Sequence, residues 1–229
     1  MSNYWKDWVM FWLNFYSMVR QQLGYEESRD YFSARLLDLL IEEDFFDELR
    51  DIIKDSKVCI IGADETLERN ENVSRCEKEG YVIIASDGSA LLAKEKGVNV
   101  DIIFTDLDGL KEKVLDFRES LKVIHAHGDN VNLIYTLGRQ REAVGTCQVY
   151  PIGKLKVLGG FTDGDRAVSA SAFLGAREIR LISMNFNIAS SFYSKPFSKG
   201  NPWKREKLGI GNRIVNTLKQ MGYNILSEF

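Results

Sequence analysis

Hydrophobic positions divide the chain near residue 55. Before it they recur at helical spacing. Trp5, Trp8, Trp12, Phe15 and Val19 form one aromatic stripe that Gly24 brings to an end. Leu36, Leu37, Leu39, Leu40 and Ile41 mark a second helix, and Phe45, Phe46, Leu49, Ile52 and Ile53 a third. After Lys57 the apolar residues gather into short runs: Val58 to Ile61, Tyr81 to Ala85, Asp101 to Phe104, Val123-Ile124, Gln148 to Tyr150 and Ile179 to Ile182. Runs apolar on both faces predict strands of a parallel sheet covered by helices. Between them lie helical patterns at Glu65 to Glu79, Ser89 to Lys96, Leu110 to Ser120, Asn130 to Leu137 and Asp165 to Leu174. Gly80, Gly97 and Gly175 close three of these, as glycine commonly does after a last helical residue. Lys204 to Met221 reads as a final helix with Leu208, Ile214, Val215 and Leu218 inward.

Strand–helix alternation of this kind predicts βαβ units, hence an α/β fold with a mostly parallel, Rossmann-like sheet. The expected organisation is a helical N-terminal region, residues 1–54, and an α/β catalytic domain, residues 55–229. Residues 186–203, with Pro196, Gly200 and Pro202, read as a mobile loop before the C-terminal helix.

Composition narrows the function. The chain has 229 residues, 45% of them hydrophobic, which is ample for a core. Its formal charge of −3 gives no basic field for nucleic acid, so no nucleic-acid partner is expected. The stretch Tyr4 to Val19 is too short and too charged to span a membrane and lacks a basic face for docking on one. Packing on the rest of the protein is the expectation. Three scattered cysteines, Cys59, Cys76 and Cys147, with no Cys-x-x-Cys, predict reduced thiols and a cytoplasmic protein.

The chemistry concentrates in three turns that follow predicted strands: Thr105-Asp106-Leu107-Asp108-Gly109, His125-Ala126-His127-Gly128-Asp129-Asn130 and Gly160-Phe161-Thr162-Asp163-Gly164-Asp165. Ligands of open α/β sheets sit beyond the carboxyl ends of the strands, where these turns fall. Asp106 and Asp108, two residues apart, point the same way in extended chain and can hold a hard divalent cation such as Mg²⁺. Asp129 and Asp165 each precede a predicted helix and can cap it, which leaves Asp163 the better ligand of its turn. Arg166 in a first helical turn opposes the helix dipole, a locally unfavourable placement that brings a phosphate contact into consideration. His125 and His127 alternate on one face, but no third soft ligand at a recognisable spacing supports zinc. No Gly-x-x-x-x-Gly-Lys-Ser/Thr, Gly-x-Gly-x-x-Gly or Gly-x-Ser-x-Gly pattern is present, against P-loop nucleotide binding, dinucleotide redox chemistry and α/β-hydrolase chemistry. An Asp-x-Asp, metal-dependent sugar-nucleotide transferase is one function these residues permit.

Taken together, Thr105–Gly109, His125–Asn130 and Phe161–Ala167 resemble the archaeal 6-hydroxymethyl-7,8-dihydropterin pyrophosphokinase family, itself distantly similar to thiamine pyrophosphokinases. Ser86-Asp87-Gly88-Ser89-Ala90 looks like that family's Asp-Gly turn. The resemblance covers roughly residues 55 to 220. It implies Mg²⁺-dependent transfer of pyrophosphate from ATP to a hydroxymethylpterin, with release of AMP, in tetrahydromethanopterin or folate-type cofactor synthesis. It implies a metal at Asp106, Asp108 and Asp129, and catalytic roles for Asp106, Asp108, Asp163 and Asp165. Substrate contacts follow at Asp87, Gly88, Thr105, His125, His127, Gly128, Asn130, Thr162 and Arg166. A homodimer is compatible with it. The chain departs from the family at Gly62-Ala63-Asp64-Glu65-Thr66-Leu67, where a Gly-Pro-Ser-Leu turn is usual, and at Asn185, where an acid is usual. Lys195, Lys199, Lys204, Arg205 and Lys207 then read as a lid over a triphosphate or as a solvated face.

Overall fold

In the computed structural model, which describes residues 3–64, 72–186 and 202–228, seven parallel strands form one sheet. Three helices come first: α1 (Asn3–Leu23), α2 (Glu27–Leu40) and α3 (Phe46–Ile53). Then follow β1 (Lys57–Ile61), α4 (Asn72–Lys78), β2 (Val82–Ser86), α5 (Ser89–Glu95) and β3 (Ile102–Thr105). After a 3₁₀ turn at Lys111–Asp116 come β4 (Leu121–Ala126), α6 (Val131–Leu137) and β5 (Ala143–Cys147). The chain ends with α7 (Asp163–Phe173), β6 (Glu178–Ile182), α8 (Pro202–Gln220) and β7 (Ile225–Glu228). The strand order is β5-β4-β3-β2-β1-β6-β7, and every pair is parallel. The expected α/β architecture is therefore the observed one.

The strands read as predicted because they are buried on both faces: β3, β4 and β5 are buried at every position. Two placements differ from expectation. The strand expected at Gln148 to Tyr150 lies upstream, at Ala143–Cys147, where the small residues Ala143 and Gly145 hide the apolar signature. Gly145 is required there, since a Cβ would lie 2.2 Å from Leu155 and 2.5 Å from Ile41. The segment Leu110 to Ser120 forms only a 3₁₀ turn. The strand β7 had no sequence signal, as an edge strand with Leu226 exposed.

The stripe of α1 faces inward. Trp8, Trp12 and Val19 are buried, and Trp5 and Phe15 pack against the core. Phe173, at the end of α7, lies 5.1 Å from Trp5 and 4.9 Å from Trp8, centroid to centroid. Gly159 meets the Trp12 ring so closely that a Cβ would stand 2.2 Å from it, at a φ of +84° that side chains rarely adopt. No helix among the described residues is long and apolar enough to cross a membrane. The loop expected to be mobile lies, apart from its ends, outside the described residues, as do residues 65–71 of the helical pattern Glu65 to Glu79, whose later part is α4.

Candidate active site

The turn after β3 is held open from beneath. The Thr105 hydroxyl donates to Asp87 Oδ1 at 2.6 Å and accepts the Leu107 N–H at 2.8 Å. Leu107 takes a φ of +73° while fully buried, so core packing holds the turn in a conformation that costs a leucine about 1 kcal/mol. Asp87 also has positive φ, at +46°, which a short polar side chain tolerates. Its carboxylate reaches across to Gly109, where a Cβ would stand 1.9 Å from Asp87 Oδ2. Only glycine fits at residue 109 while Asp87 occupies that space.

Carboxylate oxygens of Asp87, Asp106 and Asp108 all lie within 4.8 Å of one another. Asp163, at the start of α7, joins their field. Burial first, and then the charges of Asp106 and Asp87, raise the Asp163 carboxyl well above the usual range. Burial, followed by the Asp106 charge, pushes Asp87 up to about 7. Such mutual repulsion is what a bound divalent cation relieves. All-carboxylate donors suit a hard ion and give zinc no soft ligand.

The turn after β4 closes this group on one side. His127 Nδ1 accepts the Asp129 N–H, so its Nε2–H donates to Asp106 Oδ2 at 3.2 Å. The side chain of Asn130 makes four hydrogen bonds within the protein: it donates to the Asp106 and His125 carbonyls and accepts from His127 N–H and Ser33. It fastens the β3 and β4 turns to each other and to α2. A Cβ on Gly128 would lie 2.7 Å from the Arg29 side chain, which fixes the close approach of α2.

Several sequence expectations are redistributed. Asp129 is exposed and ion-paired with Arg29 at 3.1 Å, apart from the converging carboxylates, while Asp87 stands among them. Helix α7 begins at Asp163, its N-cap is Thr162, and Asp165 is the third residue of a capping box rather than the cap. The Asp165 carboxylate accepts the N–H groups of Phe161 and Thr162 and the Thr162 hydroxyl. Arg166 is buried and gives its guanidinium to the carbonyls of Gly159, Gly160 and Phe161. These bonds brace the loop that enters α7. Gly88 caps α5, and Asn130 in place of Asp129 precedes α6. Asp64 accepts the Asn185 N–H, so the two positions where the chain leaves its resemblance are bonded to each other.

Over the group lies a cavity of about 450 Å³ whose lining includes Asp106, Asp108, His125, His127, Asp163 and Arg166. Lys207 of α8 also reaches it, whereas Arg205 is exposed and Lys195 and Lys199 lie outside the described residues. Sequence reasoning missed one wall. Gly24, Tyr25, Arg29 and Asp30, from α2 and the turn before it, line the same cavity, as does Gln148 after β5. The available signal was Asp30 itself, an acid on the inward stripe Asp30, Ser33, Ala34, Leu37 of α2.

The family model of 6-hydroxymethylpterin diphosphokinase MptE-like proteins matches residues 35–191. The 6-hydroxymethyl-7,8-dihydropterin pyrophosphokinase of Pyrococcus furiosus is 34% identical over 227 residues, covering 95% of this chain and 97% of the relative. Its namesake from Methanothermobacter thermautotrophicus is 34% identical over 223 residues, with 93% and 96% covered. That of Methanocaldococcus jannaschii is 32% identical over 227 residues, with 91% and 94% covered. The chain belongs to this family. It is thus an enzyme of the diphosphokinase class, and the family match spans every acidic turn described above.

Proposed function

We propose that this diphosphokinase transfers a pyrophosphoryl group from ATP to the hydroxymethyl oxygen of 6-hydroxymethyl-7,8-dihydropterin. The relatives' names supply the acceptor. The observation that carries the chemistry is the convergence of Asp87, Asp106 and Asp108 beside Asp163. In the reaction the acceptor oxygen bonds to the β-phosphorus of ATP. The bond from that phosphorus to the oxygen bridging to the α-phosphate breaks, AMP leaves, and the hydroxyl proton is lost.

Asp87, Asp106 and Asp108 would hold Mg²⁺, with His127 orienting the Asp106 carboxylate through its Nε2–H. The ion supplies charge neutralisation for the polyphosphate, the main requirement of phosphoryl-type transfer. Asp163 faces the same cavity with a raised proton affinity, which suits it to orient the hydroxyl and take its proton. Asp165 and Arg166 serve instead by fixing the loop that presents Asp163. The pathway we assign is tetrahydromethanopterin or folate-type cofactor synthesis in the cytoplasm. Membership of a diphosphokinase family favours this reading over a sugar-nucleotide transferase.

The test is incubation of the purified chain with ATP, Mg²⁺ and the reduced hydroxymethylpterin. The expected products are AMP and the pterin diphosphate. ADP in place of AMP, or no product with the metal present, sinks the proposal.

A further inference from the structure

The cavity holds a second polar system that the transfer chemistry does not use. Asp30 is 4% exposed, and its partners are all neutral. Oδ1 accepts the Gly128 N–H at 2.7 Å and Gln148 Nε2–H at 3.2 Å, and Oδ2 accepts the Tyr16 hydroxyl at 2.5 Å. Burial, then the Asp30 charge, raises the Tyr16 hydroxyl's pKa, so it stays a donor. Because a carboxylate only accepts, Gln148 must turn its amide nitrogen to Asp30. Its Oε1 is thereby fixed against His125 Nε2, 3.3 Å away. Among the described residues no cation pairs with Asp30. Three of about four acceptor positions on its carboxylate are filled, which leaves Oδ2 able to accept one more hydrogen bond.

The other acids of the cavity wall are engaged differently. Asp106, Asp108 and Asp163 belong to the metal-type group, Asp129 is paired with Arg29, and Glu26 is exposed. Asp30 is thus the buried acceptor left, among the described residues, to read a neutral ring. The Gly128 N–H bond places it one residue along the β4 turn from His127, which touches Asp106. A ring on Asp30 and a phosphate chain at the carboxylates are therefore neighbours in one cavity.

We infer that Asp30, braced by Tyr16 and Gln148, is the specificity residue for the acceptor, taking at the open position of Oδ2 a hydrogen bond from the 2-amino group of a 2-aminopyrimidin-4-one ring. This inference rests on the pterin reading above. A buried polar group selects strongly, because a ligand lacking the matching group leaves it unpaired in a site closed to water. It also gives the helical N-terminal region a role in recognition.

The test is fluorescence titration of 6-hydroxymethylpterin, without ATP, into the wild-type enzyme and Asp30→Asn. A non-hydrolysable ATP analogue with Mg²⁺ is titrated in parallel. The amide keeps an acceptor for Gly128 and Gln148, and the Tyr16 hydroxyl can turn to accept, so the variant retains its hydrogen bonds. Pterin binding is expected to weaken about 10- to 100-fold in the variant, with ATP-analogue binding unchanged. The 2-oxo analogue, which lacks the amino donor, is expected to bind the wild type about 10-fold or more weakly than the pterin, and the variant with little such preference. Pterin affinity within about twofold of wild type overturns the inference. So does equal weakening of both ligands, or a variant that does not fold, since either makes Asp30 a structural brace. If the wild type binds the pterin through Asp30 yet forms no AMP, the transfer proposal fails and this inference stands. If AMP forms and Asp30→Asn binds normally, the reverse holds.

Discussion

The two ends of this parallel sheet both carry acids and arrange them in opposite ways. At the amino end, Glu79 is bonded to Arg75 at 2.6 Å and Arg180 at 3.1 Å, and Arg180 also meets Glu178 at 3.5 Å. Tyr81 donates to Glu178 and lies between Arg180, 4.5 Å from its ring centroid, and Lys57, 5.4 Å away. Cations there alternate with acids and aromatics. At the carboxyl end, the charges that most disturb Asp87 and Asp163 are those of other carboxylates. The Glu79 carboxyl is held below its usual range, chiefly by its hydrogen bond to Arg75, while Asp87 and Asp163 are raised. One end is neutralised within the chain. The other is built to be completed by something that binds.

That contrast breaks most sharply on substitution. Asp106→Asn and Asp108→Asn are each expected to cost about 10³-fold or more in AMP formation, since several kcal/mol of charge stabilisation goes with the ligand set. Neither should lower the melting temperature of the metal-free protein, which circular dichroism measures. Wild-type rates in both variants would remove the metal assignment. Next in size is the metal itself. Mg²⁺ at about 100 times its dissociation constant should stabilise the wild type by about 2.7 kcal/mol, and EDTA should reverse it. Calorimetry that shows no such gain, or an equal gain in Asp108→Asn, would mean the carboxyl end needs no counter-ion. The smallest effect belongs to the amino end. Arg180→Leu should cost about 1 kcal/mol in denaturant unfolding and leave kcat and KM unchanged. A fall in activity there would erase the distinction between the two ends.

Much of the carboxyl end was legible in the sequence because two signals coincide: fully apolar runs and an acidic turn after each. Asp106 and Asp108 follow from that coincidence, whereas the turn of Asp163, expected directly after a strand, comes well beyond the end of β5 and opens α7. The part of Asp87 was less visible, since its approach to Asp106 depends on Gly109 leaving space across a neighbouring turn. Asp129 lines the same cavity, but its carboxylate pairs with Arg29, a partner from α2 that the local sequence does not announce. Asp165 was read as a cap, but the helix starts earlier and makes it the far half of a capping box. In the fold, β5 was shifted because Ala143 and Gly145 carry little apolar weight, and β7 was silent because an edge strand needs less of it. Leu39 illustrates the converse: it lies in the apolar cluster that marked α2 and is 79% exposed. The wall contributed by Tyr16, Asp30 and Gln148 joins residues from α1, α2 and the end of β5, a proximity that no local pattern encodes.

The seat of α1 has a consequence for how the molecule is made. Trp8 rests on Phe173, Trp12 on Gly159, Tyr4 on Tyr223, and Gln22 bonds Glu206. Helix α1, made before these partners, therefore waits for residues far downstream of it. Until they arrive Trp8 lacks Phe173 and Trp12 lacks Gly159, and contacts this distant in sequence form slowly. The wall that carries Tyr16 therefore settles only after α7 and α8 have been made, so the cavity is completed from both sides of the sheet late rather than early.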